Sequence, residues 1–347
     1  MQKTIFIVDD VEMNLQVAEE SLEKRYRVIT ISSAIRMFTI LKRLTPDLIL
    51  LDVKMPEMNG FEAMKILKAN PLYSNIPVIF LTGLNDSESE AYGIELGAVD
   101  FITKPFSEPV LLNRVKHHLE IDQLIKDRTA DILRLQNGIV YTIADLVENR
   151  DGNTGGHIAR TTNYLKILVD TMLALGIYAE EMSDWDLDLL TSSARLHDVG
   201  KISITDTILN KPGRYTPEEF EIMKEHTTIG RKIIDKMMDR AGNFDFLEYA
   251  KNFAAYHHEW WDGSGYPYKL EGSEIPLMGR ILALVDVYDA LTMERPYKPA
   301  FTHERALQII REETGTHFDP RVVEAFFTAE QTFYKEKELL TALSKES

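Results

Sequence analysis

Short apolar runs alternating with longer amphipathic stretches constrain the first part of this chain more than any other feature. The runs are Ile5–Val8, Val28–Thr30, Leu48–Leu51, Val78–Leu81 and Phe101–Thr103. Runs of this length, rich in Ile, Val and Leu and separated by helical patterns, predict a parallel sheet covered on both faces. Such a sheet carries its ligands outside the carboxyl ends of its strands. The polar residues there are Asp9 and Asp10 after the first run, Asp52 after the third, Thr82 after the fourth and Lys104 after the fifth. Carboxylates gathered at one edge repel unless a divalent cation or a lysine compensates them, and hard oxygen ligands suit Mg²⁺.

The segments FIVDD, LILLDVKMPEMNG, FLTG and DFITKPF resemble a two-component receiver domain, a doubly wound, flavodoxin-like α/β fold on a five-stranded parallel sheet. The resemblance implies that Asp52 is the phospho-acceptor and that Asp9, Asp10 and the Lys54 carbonyl hold Mg²⁺. It further implies that Thr82 and Lys104 meet the phosphoryl group, that Phe101 is the switch aromatic, and that the bond before Pro105 is cis. Gly83 departs from the alanine common at that position.

Beyond Pro109 the chain runs without proline to residue 150, interrupted only by Gly138. Ile121, Ile125, Arg128, Ile132, Leu135, Ile139, Thr142 and Leu146 alternate by four and three, a heptad seam that predicts a parallel homodimer at least up to Gly138. His117 and His118, on the same helix and without an acidic partner at metal-ligand spacing, are expected at the surface.

From about Tyr141 the pattern is helical, and seven of the nine histidines lie there. His197 and Asp198 are adjacent in ARLHDVGK, and His257 and His258 are adjacent ahead of EWWDGSGYP. His157 follows a glycine-rich loop and opens a helix. His226 lies on a helix that Thr216 and Glu219 start with a capping box. The chain has no cysteine. That excludes disulfides, thiolate sites and cysteine nucleophiles, and leaves nitrogen and oxygen donors as the ligands for borderline and hard metals. An adjacent His–Asp lets the carboxylate bridge two metals, the standard arrangement for attack on a phosphodiester. Lys201, read as one helical turn beyond His197, faces the same way and reaches a substrate phosphate. Trp260 and Trp261 offer stacking surfaces for a base, although packing of at least one in the interior is expected.

NTGGHIAR, LTSSARLHDVGK, the helix ending in His226, HHEWWDGSGYP and DVYDALTMERPYK resemble the HD-GYP branch of the HD phosphohydrolase superfamily, an all-α fold. The resemblance implies hydrolysis of cyclic di-GMP to pGpG and onward to GMP, with mixed cyclic GMP-AMP as the alternative substrate. It implies His157, His197, Asp198, His226, His257, His258 and Asp286 as ligands of divalent transition metals such as Fe or Mn. Of these His197 and Asp198, with Lys201, form the catalytic core. Lys201, Arg295 and Lys298 would hold the substrate phosphates, and Gly265, Tyr266 and Pro267 form the name-giving loop. A third metal needs a carboxylate where Asn153 stands, and Asp151 is an uncertain substitute, so two metals are expected.

Lys+Arg 39 against Asp+Glu 55 gives −16, which argues against a DNA-binding output, as does the lack of a basic recognition helix. Apolar content of 44% and charged content of 27% exclude disorder. The N-terminal apolar stretch meets two aspartates too early for a signal peptide, and no run reaches the ~20 residues of a membrane span. The expectation is a cytoplasmic response regulator with a sensor histidine kinase as partner: receiver 1–120, helical connector 121–140, and HD-GYP domain 141–347. The rivals are a domain that binds cyclic di-GMP or a protein without turnover, and a phosphohydrolase acting on another nucleotide.

Overall fold

The structure is a computed structural model that describes residues 2–83, 87–150, 156–294 and 299–346. The chain divides into two compact units, 1–132 and 133–347.

In the first unit β1 (Thr4–Val8), β2 (Arg27–Ile31), β3 (Leu48–Asp52), β4 (Val78–Thr82) and β5 (Asp100–Thr103) form one parallel sheet in the order 2-1-3-4-5. Between them lie α1 (Glu12–Leu22), α2 (Ala34–Leu41), α3 (Gly60–Ala69) and α4 (Ser87–Glu95), and α5 (Glu108–Arg150) follows β5. Strand residues alternate between the faces. Phe6, Val8, Ile49, Leu51, Val78 and Phe80 pack under Met37, Leu41, Met64 and Leu67 of α2 and α3. Ile5, Ile7, Leu48, Leu50, Ile79 and Leu81 pack against Ala18 and Leu22 of α1 and Leu111, Val115 and Leu119 of α5. Both faces are closed, and every predicted run is a strand, so the chemistry is confined to the strand ends.

The second unit is built from the end of α5 and from α6 (His157–Ala174), α7 (Leu187–Ser193), α8 (Asp206–Leu209), α9 (Pro217–Ala241), α10 (Asp245–Tyr256), α11 (Leu277–Thr292), α12 (His303–Glu312) and α13 (Pro320–Glu346). Its main core joins Tyr164, Leu168, Phe253, Ile281, Val285, Tyr288, Phe326 and Phe333. Leu277–Thr292 is buried on nearly all sides, so a polar residue on that helix needs an interior partner.

Two expectations need correction. The stretch around His197 is not an α-helix: Ala194–Leu196 and Val199–Ser203 are 3-10 turns. In that tighter winding residues three apart eclipse, which sets Lys201 over Asp198. His118 is half-buried and has an acidic partner after all, Asp100 on β5, at 2.9 Å. Arg114 shares that carboxylate. The partner lies 18 residues back, beyond any local spacing pattern.

Candidate functional site

At the strand ends of the first unit, ligand atoms of Asp9, Asp10 and Asp52 all lie within 4.8 Å of one another. Asp9 and Asp52 are buried and Asp10 is exposed. Lys104 follows β5 and precedes a cis Lys104–Pro105 bond; its ammonium lies 2.5 Å from Asp9 Oδ2 and from Asp52 Oδ1. Burial pushes the Asp52 carboxyl up, and Lys104 opposes the shift without cancelling it. Thr82 is buried one strand away, and Phe101 stacks on Phe80 at 5.5 Å. Asn14, on α1, donates to both Asp9 oxygens, and Asp9 also accepts from the Val11 amide. Asn14 carried no signal in the sequence, since a helical asparagine is ordinarily solvated.

The second site gathers residues from five places in the chain. His157 opens α6, His197 and Asp198 join the two 3-10 turns, and His226 lies within α9. His257 and His258 follow α10, and Asp286 lies on α11. The predicted capping box of Thr216 and Glu219 starts α9. Two groups have mutually close ligand atoms, His157–His197–Asp198 and His226–His257–His258, each within 4.8 Å. Asp198 connects them. Its Oδ2 is 3.3 Å from His197 Nε2, while its Oδ1 is 3.5 Å from His226 Nε2 and 3.8 Å from His257 Nε2. Asp286 Oδ1 is 3.5 Å from His157 Nε2.

The orientation of four of the rings comes from their far nitrogen. His197 Nδ1 meets Ala194 O at 2.9 Å, His226 Nδ1 meets Met223 O at 2.6 Å, and His257 Nδ1 meets Phe253 O at 2.8 Å. His157 Nδ1 meets Asp289 Oδ2 at 2.7 Å. A carbonyl accepts only from a protonated nitrogen, so Nδ1 of each carbonyl-held ring carries a proton and Nε2 is the atom that faces the centre, the arrangement typical of metal-binding histidines. His197 Nε2 and Asp198 Oδ1 are buried without a hydrogen-bond partner. Such atoms require explanation, and ligation of a cation supplies it. Burial also holds His226 and His258 below the ordinary imidazole range and takes His257 down to about 3. Burial disfavours charge on His197 too, but Asp198 outweighs it and lifts that ring to about 9. For Asp198, Lys201 and His197 override burial and hold the carboxyl well down. The donors therefore fit divalent cations.

Lys201 Nζ lies 2.8 Å from Asp198 Oδ2. The backbone makes this approach workable at Gly200, where a Cβ would fall 1.9 Å from His226 O. Only a residue without a side chain lets the 3-10 turn lie against α9 and bring Asp198 to His226. Tyr266, ahead of a cis Pro267, stacks on the His258 ring at 4.8 Å, and its amide donates to His258 O. Trp260 is exposed and stacks on His317, and Trp261 is half-buried, so the expected interior tryptophan is not found. Arg295 and Lys298 lie outside the described residues, as do Asn153 and Asp151.

Three carboxylates of this site escaped the sequence reading. Asp289, one turn beyond Asp286, holds His157 and pairs with the buried Arg160. Glu259 is buried directly after the histidine pair and accepts from the Tyr268 and Leu270 amides, tying the loop back on itself. Glu148 accepts from the His157 amide. Spacing from Asp286 and adjacency to His258 were the available signals for the first two.

A five-stranded parallel sheet with carboxylates at its strand ends, and a helical unit whose His/Asp centre fits divalent cations, define a two-unit class of protein. Family models match the response regulator receiver domain over residues 5–116 and the HD domain over residues 142–322. The chain is 41% identical to a probable cyclic di-GMP phosphodiesterase of Vibrio cholerae, over 96% of this chain and 79% of that protein. It is 35% identical to the cyclic di-GMP phosphodiesterase response regulator RpfG of Xanthomonas campestris, over 80% of this chain and 74% of the other. A 3′3′-cGAMP-specific phosphodiesterase of Vibrio cholerae is 38% identical over 56% of this chain and 35% of its own length. The chain belongs to the response regulators that carry an HD-domain phosphodiesterase, a metal-dependent family. Among the described residues no helix is long and apolar enough to cross a membrane.

Proposed function

We propose that this response regulator hydrolyses cyclic di-GMP to linear pGpG, and onward to GMP, under the control of phosphorylation at Asp52. The observation that carries the reading is Asp198, whose two oxygens face two separate ligand groups while Lys201 stands on one of them. His157, His197 and Asp286 would hold one divalent ion, and His226, His257 and His258 the other, with Asp198 shared. A divalent pair supplies positive charge for the phosphodiester and lowers the pKa of water. The chain's own part is to fix the rings through their Nδ1 atoms, present Lys201 to a substrate phosphate, and close one wall with Tyr266. Arg295 and Lys298 are assigned to phosphate binding by the resemblance. Asn153 offers an amide in place of a carboxylate, and two ions per chain are expected.

In the receiver, Asp9, Asp10 and Asp52 would hold Mg²⁺, Thr82 and Lys104 would meet the phosphoryl group, Phe101 would report it, and a sensor histidine kinase would supply it. Residues 1–120, 121–140 and 141–347 serve as receiver, connector and catalytic domain in this reading. The exposed seam on α5 would join two copies. The similarity to a cGAMP-specific enzyme favours one second reading, a preference for cyclic GMP-AMP.

Purified protein with Mn²⁺ or Fe²⁺, given each cyclic dinucleotide and analysed by chromatography, tests this. The expected products are pGpG and then GMP, and Asp198→Ala is expected to lose at least ~10³ of the rate together with bound metal. Faster turnover of cyclic GMP-AMP selects the second reading, and no turnover of either rejects both. Elemental analysis showing three ions per chain would refute the two-ion count.

A further inference from the structure

The last turn of α5 touches the catalytic unit at two separate places. Glu148 is buried, and its Oε1 accepts from the His157 amide at 2.9 Å. That amide opens α6, where helix geometry leaves the first donors without an internal partner. Two residues on, the Arg150 guanidinium spreads over the end of the 3-10 turn that carries Lys201. Nη1 donates to Ile202 O at 2.5 Å and to Lys201 O at 3.3 Å, and Nη2 donates to Ile204 O at 2.7 Å. Nε donates to Asp206 Oδ1 at 2.9 Å, and Asn210 Nδ2 returns a bond to Arg150 O. The apolar side of the same segment is buried as well: Val140 packs in one cluster with Leu196 and Val199, which bracket His197 and Asp198.

We propose that Glu148 and Arg150 are positioning residues for the hydrolysis, Glu148 holding His157 and Arg150 holding the turn that carries Lys201. The proposal rests on the phosphodiesterase reading for its kinetic arm and stands on metal content for the other. Glu148 sets the start of α6, so its loss lets His157 swing from the centre. Arg150 satisfies three carbonyls with one planar fork, so its loss frees the Lys201 turn while leaving the histidines in place. A lysine cannot span the same carbonyls, because its charge is a point on a flexible stem.

The full chain is loaded with Mn²⁺, desalted, and assayed by elemental analysis, cyclic di-GMP kinetics and thermal unfolding. Glu148→Ala is expected to weaken Mn²⁺ binding by about 10- to 100-fold, and Glu148→Gln, which keeps an acceptor oxygen, to bind as the wild type does. Arg150→Ala is expected to keep its Mn²⁺ and raise KM by about tenfold or more, with Arg150→Lys remaining impaired. A purely structural role would lower the unfolding midpoint alone. Wild-type Mn²⁺ binding in Glu148→Ala, or wild-type KM in Arg150→Ala, overturns the corresponding half of the proposal. If the alanine variants do not fold, Arg150→Lys with wild-type KM overturns it, as does Glu148→Gln with weakened Mn²⁺ binding. Wild-type protein that binds Mn²⁺ without hydrolysing cyclic di-GMP rejects the substrate reading and leaves the Glu148 arm to be read on metal content.

Discussion

Asp52 sits where burial resists its charge, beside Asp9, and Lys104 opposes the upward shift without cancelling it. Its folded pKa lies above the unfolded value, so the native state binds the proton more tightly than the unfolded chain does. Stability therefore falls as pH rises from about 3.9 through the folded value, and the deficit persists at neutral pH. In chelator-treated protein, Asp52→Asn is expected to raise the unfolding midpoint of the receiver at pH 7 and to give no gain below about pH 3.9. Equal midpoints at pH 7 would show that the carboxylate carries no such cost. In the catalytic unit, Lys201→Ala is expected to retain the full metal content and to lose about 10- to 100-fold in kcat/KM, read by elemental analysis alongside kinetics. The candidate ligands were legible because paired histidines and His–Asp are rare residue types in a fixed order. Glu148, Glu259 and Asp289 were not, since a buried carboxylate looks like a solvated one until the backbone amides around it are known.

Gly200 shows what packing between elements demands. With a Cβ 1.9 Å from His226 O and 2.5 Å from Gly230 N, the 3-10 turn and α9 meet backbone to backbone. Gly200→Ala is expected to cost about 1–3 kcal/mol of stability and to part Asp198 from His226. The checks are a lowered unfolding midpoint and reduced Mn²⁺ uptake; an unchanged midpoint would mean that the turn shifts freely. Gly265 plays the same part in the loop, where a Cβ would lie 2.2 Å from Trp260 N. The sheet could be read from its apolar runs because a two-faced parallel sheet leaves little choice of residue. The 3-10 winding around His197 could not, since three- and four-residue spacings look alike over one turn. On α5, Ile125, Ile132, Ile139 and Leu146 are 60%, 65%, 51% and 64% exposed. Ile125→Asp with Ile132→Asp is expected to convert a dimer to monomer in analytical ultracentrifugation, and a wild type that is monomeric at all concentrations refutes the seam.

Over the whole molecule the two units share one element, since α5 runs unbroken from Glu108 to Arg150. Leu111, Val115 and Leu119 fasten it within the first unit, and Val140, Ala144 and Val147 are buried within the second. Beryllofluoride with Mg²⁺ is expected to change the hydrolysis rate or the oligomeric state of the wild type and to leave Asp52→Asn unaffected. Modification that alters neither property would separate the receiver from its output. Because α5 is one helix, its length sets the phase between the face it buries at Leu111, Val115 and Leu119 and the face it buries at Val140, Ala144 and Val147. Each inserted residue turns the helix face beyond it by about 100° and advances it by about 1.5 Å. Seven residues added near Gly138 bring the phase back to within about 20°, whereas two leave it nearly reversed. The seven-residue insertion is therefore expected to keep any response of hydrolysis to beryllofluoride, and the two-residue insertion to lose it.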